Sequence, residues 1–205
     1  MIADGLLSRV AGAALVKGNA VRLLRDAADN YPAWLEAIAA AERTIHFENY
    51  IVEADEVGRA FADALATKAR QGVAVRVLYD WMGTFGRAPA SFWQRLRDAG
   101  AEVRCFNPPS LASPLGWLRR NHRKTLSVDG RVGFVSGLCV GRDWVGDPAR
   151  GVAPWRDTGV EIRGPAVVDL ASAFGRSWGE AGAPIAFGDR PKAAEVEPSN
   201  TAGIA

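Results

Sequence analysis

Histidine and cysteine are scarce in this chain, with two of each in 205 residues. Cys105 and Cys139 are too few for a disulfide framework, so a reduced, cytoplasmic setting is the expectation. Long apolar runs are missing too. No stretch reaches the ~18 consecutive apolar residues of a spanning helix, and no basic segment precedes the apolar part of the N-terminus, as a signal peptide requires. Any contact with a membrane would be made from its surface, peripherally at the inner face. A strong charge of either sign is also absent, and a net charge of +2 is too small to argue by itself for a nucleic-acid partner. No His/Asp/Glu cluster stands at ligand spacing, so neither a metal nor another cofactor is expected.

What is present suits one folded unit. With 48% hydrophobic residues the chain is long enough for a single domain, read here as residues 1–182, with a linker-like tail over 183–205 that is rich in Pro, Glu, Ala and Ser. Within residues 1–17, Leu6, Leu7, Val10, Ala14 and Leu15 fall at helical spacing beside Arg9 and Lys17. They suggest a weak amphipathic helix, packed on the domain's own edge or resting on a membrane. Pro32 marks a helix start, with Trp34, Leu35, Ile38 and Ala39 as its buried stripe. Thr44 to Ile51 alternates as a strand, a helix runs from about Glu56 to Arg70 and stops at Gly72, and Val73 to Tyr79 is the next strand. Pro89 opens a third helix that Gly100 closes, and Val103 to Phe106 is a strand. Asp129-Gly130 is a two-residue hairpin signal with Arg131 to Ser136 as the return strand. A strand at about Trp155 to Ile162 and a helix from Ala166 to about Trp178 complete the core. Alternating strands and helices predict a layered α/β domain, a mixed sheet covered by helices.

The chemistry concentrates in one stretch, His122-Arg123-Lys124-Thr125-Leu126-Ser127-Val128-Asp129. In an extended strand, residues i and i+2 project from one face, so an imidazole and an ammonium stand side by side. A nucleophile next to a fixed positive charge is what attack on a phosphodiester needs. The chain holds only 2 His, 4 Lys and 13 Asp, and chance placement of this spacing is expected about 0.002 times. The spacing is therefore a signal rather than an accident of composition.

The pattern H-x-K-x4-D resembles the signature of the phospholipase D superfamily. Arg120-Asn121-His122-Arg123-Lys124 is similar to the R-N-H-R-K run of bacterial cardiolipin synthases. Matching positions extend from Gly18-Asn19 through Glu48-Asn49-Tyr50-Ile51, Gly83-Thr84 and Phe106-Asn107-Pro108 to Trp155-Arg156-Asp157 and Gly164-Pro165. The resemblance implies one half of the phospholipase D-like fold, with one motif from each of two halves meeting at a shared site. The second half would come from a homodimer mate or from a C-terminal segment that this chain lacks. It further implies a phosphatidyltransferase that takes an anionic, phosphatidylglycerol-like glycerophospholipid and an alcohol acceptor.

In that reading His122 is the nucleophile that forms a phosphohistidine, and Lys124 holds the non-bridging oxygens and keeps the ring neutral. Asp157 matches the family position of the acid that orients the nucleophilic ring. Its plain alternative is a strand-end salt bridge with Arg156 or Arg163, and Glu48 competes for the orienting role. Asn121, Glu48, Ser136 and Gly137 are candidates for binding phosphate or substrate, while Asp129 is a structural member of the motif. Where the family carries Asn, this chain has Cys139, a poor donor. His46 has no Lys two residues on and reads as a packed or surface residue. Trp34, Trp93, Trp155 and Trp178 read as core, and Trp117 with its neighbouring leucines either lines an acyl-chain entrance or packs as a loop. Two rival functions stay open: a single-motif dimeric phosphodiesterase acting on nucleic acid or a small diester, and a non-catalytic lipid-binding half-domain.

Overall fold

The computed structural model describes residue 9 and residues 16–111 and 115–186, with only the backbone of Trp117. The expected amphipathic helix, most of the tail and the setting of the Trp117 side chain lie outside these residues. The described chain forms a seven-stranded mixed sheet in the order β1-β7-β6-β5-β2-β3-β4. The strands are β1 (Ala20–Arg25), β2 (Thr44–Asn49), β3 (Ala74–Asp80), β4 (Glu102–Phe106), β5 (Thr125–Val128), β6 (Val132–Ser136) and β7 (Thr158–Arg163). Four longer helices flank them: α1 (Asp26–Ala39), α2 (Glu56–Arg70), α3 (Ala90–Asp98) and α4 (Ala166–Glu180). β2, β3 and β4 run parallel, joined by α2 and α3, and β5, β6, β7 and β1 continue antiparallel.

β2 is the hinge of the design, because both of its faces are buried. Ile45 and Phe47 meet the aromatic cluster of α1 and α2, where Phe47, Trp34 and Tyr31 all pack around Phe61. His46 and Glu48 turn the other way, and the His46 ring stacks on Phe174 of α4 with centroids 4.5 Å apart. α4 closes a smaller cluster of Leu78, Phe106, Phe174, Trp178 and Ile185. The chain thus stays packed as far as Ile185, a little past the expected boundary at 182.

Local chemistry explains where the expected elements moved. α1 begins six residues before Pro32, because Asp26 bonds both ways with Asp157: its N–H donates to the Asp157 carbonyl at 2.8 Å, and its Oδ1 accepts the Asp157 N–H at 2.9 Å. α2 starts at a true cap, with Asp55 Oδ1 accepting the Gly58 N–H at 2.9 Å. A Cβ at Gly58 would lie 1.7 Å from the Glu53 carbonyl oxygen, so only glycine fits that turn. The β5–β6 loop closes over three residues rather than two, with Asp129 and Gly130 both at positive φ. Trp155 is half exposed at a loop and is not part of the core, whereas Trp144 beside it is buried. Among the described residues no helix is long and apolar enough to cross a membrane.

Candidate active site

The topology brings the C-terminal ends of β2, β3, β4 and β6 to the same end of the sheet as the start of β5. His122 and Lys124 sit there, on the extended segment that leads into β5. Lys124 Nζ lies 3.1 Å from His122 Nδ1 and 3.0 Å from the His122 carbonyl oxygen. The imidazole is exposed while the lysine is only 6% exposed. Tyr50 backs both groups, with its ring centroid 4.3 Å from that of His122 and 5.2 Å from Lys124 Nζ. Burial and then the Lys124 charge push the His122 pKa down, with Arg120 adding to them and Asp80 opposing. Burial also pushes Lys124 down, opposed by Cys139 and Asp157. The result is a neutral imidazole against an ammonium that can donate to an unprotonated ring nitrogen.

Two buried carboxylates hold the residue just before His122. Asp80 Oδ2 accepts the Asn121 N–H at 2.8 Å, and Glu48 Oε1 accepts from the Asn121 side-chain amide at 2.5 Å. Glu48 Oε2 also takes the Thr125 hydroxyl at 3.2 Å. Arg123, on the α4 side, donates to Ser177 Oγ at 2.8 Å and to the Ala173 carbonyl at 3.0 Å. Burial raises the Glu48 pKa, and hydrogen bonds from Asn121, Ser177 and Thr125 pull it back. Glu48 and Asn121 are two of the expected candidates for binding phosphate or substrate. Both are buried, and their side chains bind each other on the α4 face, because strand alternation sends 121, 123 and 125 to the side opposite 122 and 124. Asp80 is the residue that sequence reasoning missed. Its Oδ1 caps the helical turn Trp81–Thr84 by accepting from Met82 and Gly83 N–H, and an Asp at a strand end before such a turn is a readable cap signal.

Asp157 stands over Gly137, where a Cβ would come within 2.1 Å of Asp157 Oδ1. Its carboxylate accepts the Thr158 N–H at 2.7 Å and lies within electrostatic reach of Lys124. Among the described residues no hydrogen bond joins it to His122. The salt-bridge alternative is overturned, since Arg156 pairs with Asp26 and Arg163 with Glu161. Ser136 Oγ is occupied locally, accepting the Leu138 N–H at 3.1 Å. Cys139 is buried, burial raises its pKa, and Tyr31 donates to its carbonyl at 2.6 Å. Asp129 lies at the far end of β5, its carboxylate accepting the N–H groups of Glu42, Arg43 and Thr44 at 2.7–2.8 Å. His46 lies in the sheet, and among the described residues neither of its ring nitrogens has a hydrogen-bond partner.

Residues 34–142 match the family described as cardiolipin synthase, PLD-like domain. The chain is 41% identical over 160 residues to a cardiolipin synthase of Alkalihalophilus pseudofirmus, covering 77% of this chain and 31% of that protein. It is 38% identical over 173 residues to the major cardiolipin synthase ClsA of Bacillus subtilis, covering 82% of this chain and 35% of that protein. It therefore spans about a third of the length of the curated relatives it matches. In fold it is similar to Nuc from Salmonella typhimurium, a phospholipase D family member. The TM-score is 0.61 at 18% identity, over 79% of this chain and 95% of that one. NucT from Helicobacter pylori superposes with the same TM-score of 0.61 at 11% identity, over 79% of this chain and 97% of that one. With the H-x-K pair assembled at the sheet end and more than half of its length matched, the chain belongs to the cardiolipin synthase family of phospholipase D-like domains.

Proposed function

We propose that this domain carries the nucleophilic half-site of a phosphatidyltransferase that acts on an anionic glycerophospholipid. The observation that carries the reading is the exposed His122 ring, with its pKa lowered and the Lys124 ammonium 3.1 Å away. A ring nitrogen of neutral His122 attacks phosphorus, the bond from phosphorus to the leaving alcohol breaks, and that alcohol takes a proton from an acid. Lys124 faces the non-bridging oxygens, whose charge grows as the fifth bond forms. An acceptor alcohol then gives up its proton, attacks phosphorus and releases His122. His46 is buried without a neighbouring lysine, so the acid is assigned to a second half, on another copy or another segment.

Surface chemistry supports a bilayer as the phase that holds the substrate. The loops over residues 81–89 and 107–123, beside the site, carry Arg87, Arg119, Arg120 and Arg123 and no acidic residue. Met82, Phe85, Leu111 and Leu118 stand exposed in the same loops. Arginines among exposed apolar side chains, aliphatic Leu111 and Leu118 included, suit an anionic lipid surface. The test separates His122 from the missing acid. Bis(p-nitrophenyl) phosphate has a leaving group that departs without a proton, so the domain alone should release one equivalent of nitrophenolate and keep a base-stable, acid-labile label on His122. A burst of equal size from His122→Ala would end the proposal.

A further inference from the structure

We infer that Asn49 is a phosphate-binding residue of this site, supplying beside Lys124 the amide donor that Cys139 does not. The inference rests on the phosphodiester reading above, and it begins with a side chain that has no structural reason to be polar. Ile45, Phe47 and Asn49 share one face of β2, and the first two are core residues. Asn49 is 2% exposed, and among the described residues neither its Nδ2 nor its Oδ1 has a hydrogen-bond partner. A buried amide with both atoms unmatched loses its water and gains nothing, whereas a leucine of similar size would pack there without that penalty. Such a group in a native chain calls for an explanation.

Its position supplies one. The β2–β5 ladder pairs Phe47 with Leu126 and Glu48 with Thr125, so its next antiparallel step sets Asn49 across from Lys124. Cross-strand neighbours present their side chains on the same face. Cys139 closes the group: it interacts electrostatically with Lys124, and the Val140 N–H bonds the Ile51 carbonyl at 3.0 Å, holding residue 139 alongside the end of β2. A thiol is a weak donor, while an amide offers two N–H groups to phosphate oxygens and a carbonyl to the lysine ammonium. Lys124 is almost as buried as Asn49 and still reaches the exposed His122 ring. A phosphate seated on that pair has oxygens on the side where the unmatched amide lies. The other unmatched side chain of β2 among the described residues, His46, sits on the opposite face against Phe174 and has no such use.

The test uses the chain as it is, with inorganic phosphate as the probe, titrated by calorimetry. Asn49→Leu should weaken phosphate binding by at least tenfold while leaving the thermal midpoint unchanged or higher, a combination that a purely structural asparagine does not produce. Cys139→Asn added to Asn49→Leu should recover most of the lost affinity. Asn49→Asp, close to isosteric but anionic, should abolish binding, and it serves where the leucine variant does not fold. Lys124→Met fixes the frame. If it loses phosphate while Asn49→Leu and Asn49→Asp bind as the natural chain does, the role of Asn49 is refuted and the catalytic reading stands. If the natural chain itself takes up no phosphate, both fall together.

Discussion

Asn121 is held from two directions, by the Asp80 carboxylate on its N–H and the Glu48 carboxylate on its side chain, and the His122 backbone follows directly from it. Removing either carboxylate frees the nucleophile without touching it. Glu48→Ala should therefore lower the rate of phosphohistidine formation by about tenfold or more, since misplacement of about 1 Å can cost ~100-fold. Glu48→Gln, which keeps an acceptor for Asn121, should recover much of it, and single-turnover labelling reads the difference. Gly137→Ala tests Asp157 in the same way. The three atoms nearest the added methyl all belong to the Asp157 carboxyl group, so the fold should persist while Asp157 is displaced, and an unchanged labelling rate would show that Asp157 has no part in the chemistry. The scarcity of histidine makes titration direct, with only two ring signals to follow. His122 should titrate below the ordinary 6.5 and move upward in Lys124→Met, because a neighbouring cation that disfavours protonation is gone. At this scale the H-x-K pair was legible because alternation along a strand needs only one segment. The partnership of Glu48, Asp80 and Asn121 was not, because it joins three segments that the sequence keeps far apart.

β2 shows what a doubly buried strand costs and gains. His46 fills the space above Phe174, and burial, with Arg76 alongside, holds its pKa down at about 3. The unfolded chain takes up that proton near 6.5 and the folded one does not, so protonation favours unfolding. The contribution of His46 is complete above about 6.5 and is lost as pH falls toward 3, at up to about 1.4 kcal/mol per unit. Urea unfolding at pH 7 and pH 4.5 should show a larger fall for the natural chain than for His46→Phe, and equal falls would mean that the ring is not held neutral. Most helices and inner strands were readable from periodicity, and α2 was placed to the residue. β1 was not, because it buries only Leu24, while Arg22 on the same face is exposed and pairs with Glu161 across the ladder, and Val21 and Leu23 face outward. A strand whose polar side is matched only by another strand does not announce itself. Pro32 misled for a related reason, since the turn before it is tied to Asp157, more than a hundred residues away.

At the scale of the molecule, the sheet gathers its chemistry at one end and its fastenings at the other. The site end carries the arginine-rich loops with Phe85 and Leu118 exposed, so vesicles containing phosphatidylglycerol should sediment the protein, and neutral vesicles much less. Phe85→Ser with Leu118→Ser should weaken that capture without changing the thermal midpoint; capture that survives both changes would place the lipid contact elsewhere. The opposite end is fastened by Asp129, which gathers three backbone N–H groups from the turn between α1 and β2. Its loss in Asp129→Ala should cost about 3 kcal/mol in urea unfolding, because those donors are left without an acceptor. The larger effect is one of phase. β5 is four residues long and carries the reactive pair on its leading edge, so a shift of a single position would send the imidazole out through the back of the sheet, under α4. Asp129 works as an index pin: a carboxylate that never meets phosphorus decides on which side of the wall the nucleophile comes out.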